Sequence, residues 1–492
     1  MTLQRRNMLE IQGKKVDEVG DDDSNNNDIG LLSDFLREAN EDILLEIFVH
    51  LRNCRSAILF GSVCRYWHTL ISGPQFIPRF ISHHHDHQDR YSLPYTIILR
   101  RADRIGLGKG GYDYYRPLCK LFSEESMILH GKSVTSVGYL DFLPCRMVIR
   151  ASCNDLLLAN PGGREYLGTR WSKSDNLYIC NPITKQFYLL PMFDRPSRWF
   201  RITGHALVCM PPAELGSPTN HFKVIEFYDI GRDDDAWEEP LNSENPIIHV
   251  MSVFCSKSGK WGREGFQCPR PNGFSPYDSA KEMEEIVTCN GIAYWLENRG
   301  DVDRVIALDL LNRECGVIVF PNDYWWFLQA EDDFHVRKQR SFLWRYRQYQ
   351  DSHVREQIGA VCGEVRLLQV VLTGAELILN LKVWKLNYNS KEWILVHDKK
   401  NLKWPSNDDT QQFIAAFIHP TNRDVVLLVW DRNIFQYNLN TTEDTYEKVD
   451  EIEESLDIEY RTEQAEQFGW NERLVSVPMV HPPWPTTLPN SV

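Results

Sequence analysis

The residues that come closest to a metal site are a run of histidines after the first helical segment. Histidines occupy positions 83–85 and 87, around Asp86, and imidazole is a good ligand for transition metals. Adjacent histidines in a polar segment have no preset geometry, and no cysteine pattern supports them. We therefore interpret residues 81–94 as a solvated linker and predict no metal site.

A second candidate is the glycine-rich stretch Gly106–Gly111, which has the spacing G-x-G-x-x-G after an apolar run. A dinucleotide site needs a helix to begin there, because the helix N-terminus binds the pyrophosphate. Residues 112–117 (YDYYRP) are a poor helix start, so we interpret the glycines as a loop. The sequence has no Gly-x-Ser-x-Gly, His-Glu-x-x-His or Walker motif. We predict no catalytic residue and no cofactor.

Composition restricts the classes of function. The 492 residues carry a formal net charge of -14, which disfavours nucleic-acid binding because phosphate contacts need a basic face. The 12 cysteines are scattered, without a Cys-x-x-Cys pair, as expected in a reducing compartment. No apolar run reaches the ~18 residues of a membrane span, and the N-terminus does not resemble a signal peptide. We predict a cytoplasmic and/or nuclear protein that binds no membrane.

Three short helices are predicted within residues 34–80, after an acidic N-terminus (1–30) that we expect to be disordered. Asn40 can cap the first helix. Its apolar side chains recur at helical spacing: Leu44, Ile47, Phe48 and Leu51. Residues 57–60 give a second apolar run. A unit of this size rarely folds alone, so it is either a cap on the rest of the chain or a docking module.

Three blocks within this segment resemble the F-box in order and approximate spacing: residues 42–47 (DILLEI), 63–67 (VCRYW) and 70–76 (LISGPQF). The family's usual Leu-Pro before the first helix is Ala39-Asn40 here, and its second proline is missing. The resemblance implies binding to a Skp-type adaptor. The residues expected at that interface or in its supporting core are Ile43, Leu44, Ile47, Phe48, Leu59, Val63 and Trp67.

From residue 95 to 492 the sequence is typical of an all-β domain, with short apolar runs separated by turns. A polar turn recurs at residues 181–187, 255–261, 309–315, 387–393 and 438–444. Repeated hairpins of this kind predict a β-propeller of roughly six to eight blades, with six or seven preferred. Stacked β-sandwiches are the alternative.

Residues 177–191 (LYICNPITKQFYLLP) are similar to the signature of plant F-box-associated, kelch-like propellers. The resemblance covers most of residues 39–440. It implies an α+β multidomain fold in which a small N-terminal three-helix F-box is followed by a large all-β propeller. Residues 322–349 are expected to form an inserted loop, where Trp325, Trp326 and Phe327 either bind a target or pack internally. Residues 443–466 are expected to form an acidic loop.

The resemblance implies an interaction protein rather than an enzyme. It would be the substrate receptor of a Skp–cullin–F-box ubiquitin ligase. The F-box would bind the Skp-type adaptor, and the adaptor would link the protein to the cullin–RING ligase. The propeller would bind an unidentified target protein. Two alternatives stay open. One is a ligase-independent propeller scaffold with a degenerate F-box, and the other is an enzyme with a site at the propeller channel.

Overall fold

The chain divides into two compact units. The first contains residues up to Arg52 and Ser56–Phe76, and the second contains Asn53–Arg55 and everything from Ile77. The computed structural model describes residues 40–86, 93–101, 119–123, 126, 139–145, 147–161, 176–193, 200–209, 221–230, 247–268, 286–299, 302–310, 312–321, 353–373, 378–402, 413–430, 433–441, 445–452, 474–486 and 488. Three segments with sequence predictions lie outside these ranges: the N-terminus predicted to be disordered (1–30), the glycine loop (106–111) and the inserted loop (322–349).

Residues 40–86, the described part of the N-terminal region, contain four helices rather than the predicted three. They are α1 (Glu41–Val49), α2 (Cys54–Gly61), α3 (Arg65–Ile71) and α4 (Phe76–Asp86). The fourth helix includes His83–His85, so the predicted linker 81–94 is wrong for residues 81–86. The helix continues there because the His84 ring lies one turn after Phe80 and packs on it, with ring centroids 4.2 Å apart.

Local sequence explains the first and third helices. Asn40 caps α1, and its side chain accepts the backbone N–H of Asp42 at 3.4 Å. Cys64 caps α3 in the same way, with its sulfur 3.5 Å from the Trp67 nitrogen. Both helices are thereby supplied with an acceptor for amides that have no partner within the helix.

Within the described part of the propeller, the strands form five four-stranded antiparallel blades. Blade I is β3 (Met147–Cys153), β4 (Leu156–Pro161), β5 (Tyr178–Asn181) and β6 (Gln186–Leu189). Blade II is β7 (Phe200–Cys209), β8 (Phe222–Ile230), β9 (Ile247–Cys255) and β10 (Lys260–Cys268). Blade III is β11 (Ile286–Cys289), β12 (Ile292–Arg299), β13 (Val302–Asp309) and β14 (Glu314–Val319). Blade IV is β15 (His353–Val361), β16 (Glu364–Thr373), β17 (Ile378–Asn387) and β18 (Glu392–Leu402). Blade V is β19 (Phe413–Ile418), β20 (Val425–Trp430), β21 (Asn433–Asn438) and β22 (Tyr446–Glu451).

A three-stranded sheet, here called the closing sheet, combines strands from both ends of the propeller. Its order is β2 (Cys119–Phe122), β1 (Tyr95–Arg101) and β23 (Leu474–Val480). Strand β23 contacts β19 of blade V on one side and β3 of blade I on the other. The first strands of blades I to V contact one another in sequence, so the six sheets form a closed ring. The described residues thus give five complete blades, fewer than the six or seven predicted.

Apolar side chains form one layer between each pair of neighbouring sheets. Strand β20 illustrates the principle, since all six of its residues are buried. Val426 and Leu428 face blade IV, whereas Leu427 and Val429 face the closing sheet. A strand covered on both faces needs an unbroken apolar run rather than an alternating one, and this explains the sequence VVLLVW.

The recurring polar turn joins the third and fourth strands of each blade. In blade I, Asn181 Oδ1 accepts the amides of Ile183 at 3.0 Å and Thr184 at 3.4 Å. Lys185 then adopts a positive φ of 55°, which reverses the chain into β6. The equivalent Asx residues that accept a turn amide in other blades are Asp309, Asn387 and Asn438. The repeat therefore has a local physical cause.

The predicted acidic loop 443–466 is partly wrong, because Tyr446–Glu451 forms the outermost strand of blade V. Tyr446 packs against Tyr437 with ring centroids 5.2 Å apart, which anchors the strand on its inner side. Lys448 and Glu451 are both exposed and form an ion pair at 2.8 Å. Residues 443–444 and 453–466 of the predicted loop lie outside the described ranges.

Candidate functional site

The first compact unit, which contains α1, α3 and most of α2, is called the helical unit here. Its described residues expose six large apolar side chains. Val63 is the most exposed of them, at 65%. We call this set the apolar surface of the helical unit: Ile43, Ile47, Ile58, Leu59, Val63 and Tyr66. Ile43 and Ile47 lie one turn apart on α1, and the others come from α2, α3 and the turn between them. Exposed apolar side chains at this density are a feature of protein-docking surfaces rather than of catalytic sites.

The structure separates the seven predicted adaptor-binding residues into two groups. Ile43, Ile47, Leu59 and Val63 are exposed and belong to the apolar surface. In the second group, Leu44 and Phe48 are fully buried and cannot contact a partner while the unit is folded. Trp67 is partly buried.

An aromatic cluster holds the three helices α1, α2 and α3 together. Phe48, Phe60 and Trp67 contribute one ring from each helix, and their centroids are 5.2 to 5.8 Å apart. The Phe48 and Trp67 rings meet edge to face, which is a favourable arrangement for aromatic quadrupoles. This cluster positions the apolar surface, because Leu59 precedes Phe60 and Tyr66 precedes Trp67 in the sequence.

Sequence reasoning missed two residues of the apolar surface, Ile58 and Tyr66. Ile58 was visible in the apolar run 57–60, but a short run does not reveal which side chains face outward. Tyr66 lies between Arg65 and Trp67 in the VCRYW block. Trp325, Trp326 and Phe327, the predicted target-binding residues, lie outside the described ranges.

The propeller contains a serine, a threonine and a histidine in contact. Thr96 Oγ1 lies 2.8 Å from Ser126 Oγ and 2.9 Å from His481 Nε2, and Ser126 Oγ lies 3.2 Å from the same nitrogen. A Ser–His contact resembles half of a nucleophilic site, but all three side chains are completely buried. The contact ties β1 to the residue that follows β23, and it offers no surface to a substrate.

A second buried group surrounds Asp155. Its carboxylate accepts bonds from Asn181 Nδ2 at 2.7 Å, from the Thr486 amide at 2.8 Å and from the Thr486 hydroxyl at 2.5 Å. Burial raises the pKa of Asp155, and the three donors oppose that increase. The group fastens the segment after β23 to blade I, which is a structural role.

A charged cluster lies between blades IV and V. Glu364 contacts Lys385 at 2.6 Å, Arg366 at 3.3 Å and Arg423 at 3.7 Å. Burial raises the pKa of Glu364, but the bonds from Lys385 and Arg366 outweigh it and hold the pKa below its ordinary value. The carboxylate is therefore ionised and serves to balance the buried Arg366.

Within the described ranges, no three His, Cys, Asp or Glu side chains come together as a metal site would require. Similarly, none of the helices in the part of the chain that the structure describes is long and apolar enough to cross a membrane.

Comparison with known proteins identifies the propeller. Residues 140–490 match the family described as F-box protein At3g26010-like, beta-propeller. The chain belongs to this plant F-box protein family. The matched region spans blades I to V and β23, and it begins after the helical unit. No curated protein sequence matches the chain.

Solved structures resemble this F-box-family propeller only distantly. A protein from Lactobacillus plantarum is 10% identical, with 73% of this chain and 96% of that chain covered and a TM-score of 0.32. The Nup133 β-propeller domain of Vanderwaltozyma polyspora is 10% identical, with 63% and 85% covered and a TM-score of 0.27. A prolyl endopeptidase structure is 9% identical, with 73% and 45% covered and a TM-score of 0.30. This chain therefore spans less than half the length of that endopeptidase.

Proposed function

We propose that this protein is the substrate-recognition subunit of a Skp–cullin–F-box ubiquitin ligase. Its helical unit binds the Skp-type adaptor, and its propeller binds the protein to be ubiquitinated. The chain forms no bonds itself. It accelerates transfer by holding target lysines near the ubiquitin-charged enzyme, which raises their effective concentration.

The apolar surface of the helical unit is the observation that supports adaptor binding. Six large apolar side chains in residues 43–66 remain exposed, although the unit has its own aromatic cluster around the buried Phe48. Covering them with a partner removes apolar area from water, at about 25 cal/mol for each Å². The segment that carries them is also the one whose sequence blocks resemble the F-box, and the propeller that follows is that of an F-box protein family.

The proline that is missing before the first helix has a local substitute. Proline at a helix start fixes φ in advance of folding, whereas here Asn40 supplies a side-chain cap for α1. The helix start is therefore stabilised by a hydrogen bond in place of a rigid ring.

We also propose that the closing sheet serves as the sixth blade of the propeller. Strand β23 occupies the same inner position as the first strands of the other blades, between β19 and β3. The ring is closed by strands from both ends of the domain. The closure depends on the pairing of β1 with β23, which covers seven residues from Tyr95 to Arg101.

The test of the proposed function is complex formation between the full chain and a purified Skp-type adaptor, measured by size-exclusion chromatography. We expect the two proteins to co-elute. Ile47→Asp should abolish co-elution, because Ile47 is 37% exposed and a charge there leaves the fold intact while spoiling an apolar interface. The matched control is Leu395→Asp on β18, which is similarly exposed at 40% and should have no effect.

If the folded chain does not bind the adaptor, the ligase proposal fails and the ligase-independent scaffold becomes the better account. If both variants bind equally well, the apolar surface is not the contact.

Target binding by Trp325, Trp326 and Phe327 stays a prediction. It is tested by replacing all three with alanine in an adaptor-bound ligase, and we expect ubiquitination of targets to fall while adaptor binding is retained.

A further inference from the structure

The fold brings together two cysteines that are 56 residues apart in the sequence. Cys153 is the last residue of β3 and Cys209 is the last residue of β7, and these strands contact each other across blades I and II. The Cys209 amide donates to Cys153 Sγ at 3.2 Å. The Cys209 thiol donates to the Cys153 carbonyl oxygen at 3.3 Å. Each sulfur therefore contacts the backbone of the other residue.

This arrangement is suitable for a disulfide. A disulfide needs Cα atoms about 4.4–6.8 Å apart and Cβ atoms that face each other. Because each sulfur already reaches the partner's backbone, rotation of the two side chains is the main movement that the bond requires. In the structure both cysteines are thiols, and both are half-buried.

The surroundings give the two sulfurs different chemistry. The thiol of Cys209 lowers the pKa of Cys153, as does the Cys209 amide, although burial opposes them. The same contact raises the pKa of Cys209 well above its ordinary value, and burial adds to this effect. Cys153 therefore ionises more readily than Cys209 and is the attacking sulfur of the pair. The thiols of Cys54 and Cys180 differ, since burial raises the pKa of each to about 12.

We propose that Cys153 and Cys209 are a peroxide-sensitive pair that oxidises to a disulfide between blades I and II. The Cys153 thiol loses its proton and the thiolate attacks one oxygen of hydrogen peroxide. The O–O bond breaks, a sulfenic acid forms, and the leaving hydroxide takes up that proton to give one water. The Cys209 sulfur then attacks the Cys153 sulfur, the S–O bond breaks and a second water leaves. The two thiols lose two protons and two electrons, and peroxide is reduced to two waters. A dithiol reductant reverses the reaction by exchange.

The experiment is peptide mapping of the full chain after treatment with hydrogen peroxide. Remaining thiols are alkylated, and the protein is digested with trypsin without reduction. Trypsin gives one peptide of residues 151–164 that contains Cys153 and another of residues 202–223 that contains Cys209, and neither holds a second cysteine. We expect mass spectrometry to find these two peptides linked, and dithiothreitol to separate them.

Cys255 is the comparison thiol, because it is half-buried and nearby backbone amides lower its pKa despite some burial. Cys255→Ser should leave the linked peptide unchanged, and Cys209→Ser should abolish it. Recovery of both peptides separately alkylated, at a peroxide dose that oxidises Cys255, would overturn the proposal. So would linkage of either peptide to a different cysteine. Peptide mapping of the protein without substitutions shows whether the disulfide forms, even if a variant fails to fold.

Discussion

Asp155 accepts two hydrogen bonds from Thr486, which lies 331 residues further along the chain, at 2.8 Å from the amide and 2.5 Å from the hydroxyl. Both residues are buried. The C-terminal segment is therefore bound to blade I by one carboxylate, in addition to the pairing of β23 with β1. This relationship joins the two ends of the propeller and is the basis of the first prediction.

Asp155→Ala should destabilise the propeller by about 3 kcal/mol, because the Asn181 and Thr486 donors lose their buried acceptor. Asp155→Asn should cost about 1 kcal/mol or less, since the amide oxygen accepts two of the bonds and the Thr486 hydroxyl can rotate to accept the third. Urea denaturation measures both. Equal losses for the two variants would show that the carboxylate's bonds are not what holds the segment.

The charged cluster predicts a contrast between two glutamates. Glu364→Gln should cost about 2 kcal/mol, because the nearly buried Arg366 loses its counter-charge. Glu264→Gln, in an exposed pair with Arg313 at 3.1 Å, should cost less than about 0.5 kcal/mol. The pKa of Glu364 is lowered in the folded state. Its ionised carboxylate therefore stabilises the fold at pH values above its ordinary pKa, and this stabilisation is lost as the pH falls through the lowered value. Denaturation midpoints at pH 7 measure the contrast, and equal values would contradict it.

His419 predicts a loss of stability in acid. Burial lowers its pKa from 6.5 to about 4, and its Nδ1 accepts the amides of Thr421 and Asn422 at 3.2 and 3.0 Å. The unfolded state binds the proton more readily, so stability should fall by roughly 3 kcal/mol as pH drops from 6.5 to 4. His419→Asn retains an acceptor for the turn and does not titrate. The stability of this variant should therefore change less between pH 6.5 and 4, as measured by urea denaturation at each pH. If the free energy of unfolding of the two proteins fell equally with pH, His419 would not be the cause of the loss.

Phe48→Ala should unfold the helical unit. Phe48 is completely buried and contacts the rings of Phe60 and Trp67, and removing such a ring costs about 3–5 kcal/mol. Hydrogen exchange should show loss of protection in residues 41–71, while the propeller strands remain protected. Retained protection in the helices would contradict the central position given to the aromatic cluster.

The sequence was sufficient to predict a helical N-terminal region followed by a propeller, because both depend on local patterns, but not the number of helices or of blades. The Asn181 turn and its repeats are specified by side-chain hydrogen bonds within a few residues, so the repeat could be recognised before the fold was known. The signature in residues 177–191 gave the family.

Long-range contacts could not be predicted in this way. The bonds of Asp155 to Thr486 and of Cys153 to Cys209 depend on which blades are neighbours, and no linear pattern encodes this. The histidines at 83–85 looked like a linker because polarity was taken as a sign of irregular structure, whereas Phe80 and His84 pack at helical spacing. Helical periodicity also could not separate the buried Leu44 from the exposed Ile47, since both belong to the apolar stripe.

The affinity of the Val63→Asp variant for the Skp-type adaptor tests the central claim most directly. Val63 is 65% exposed, and Val319 at the end of β14, 69% exposed, is its matched control on the propeller. Titration calorimetry with the full chain should show that Val63→Asp weakens adaptor binding by more than about tenfold, a change of about 1.4 kcal/mol, while Val319→Asp leaves the affinity unchanged. Unchanged affinity for Val63→Asp, with the helices still protected from exchange, would contradict the account.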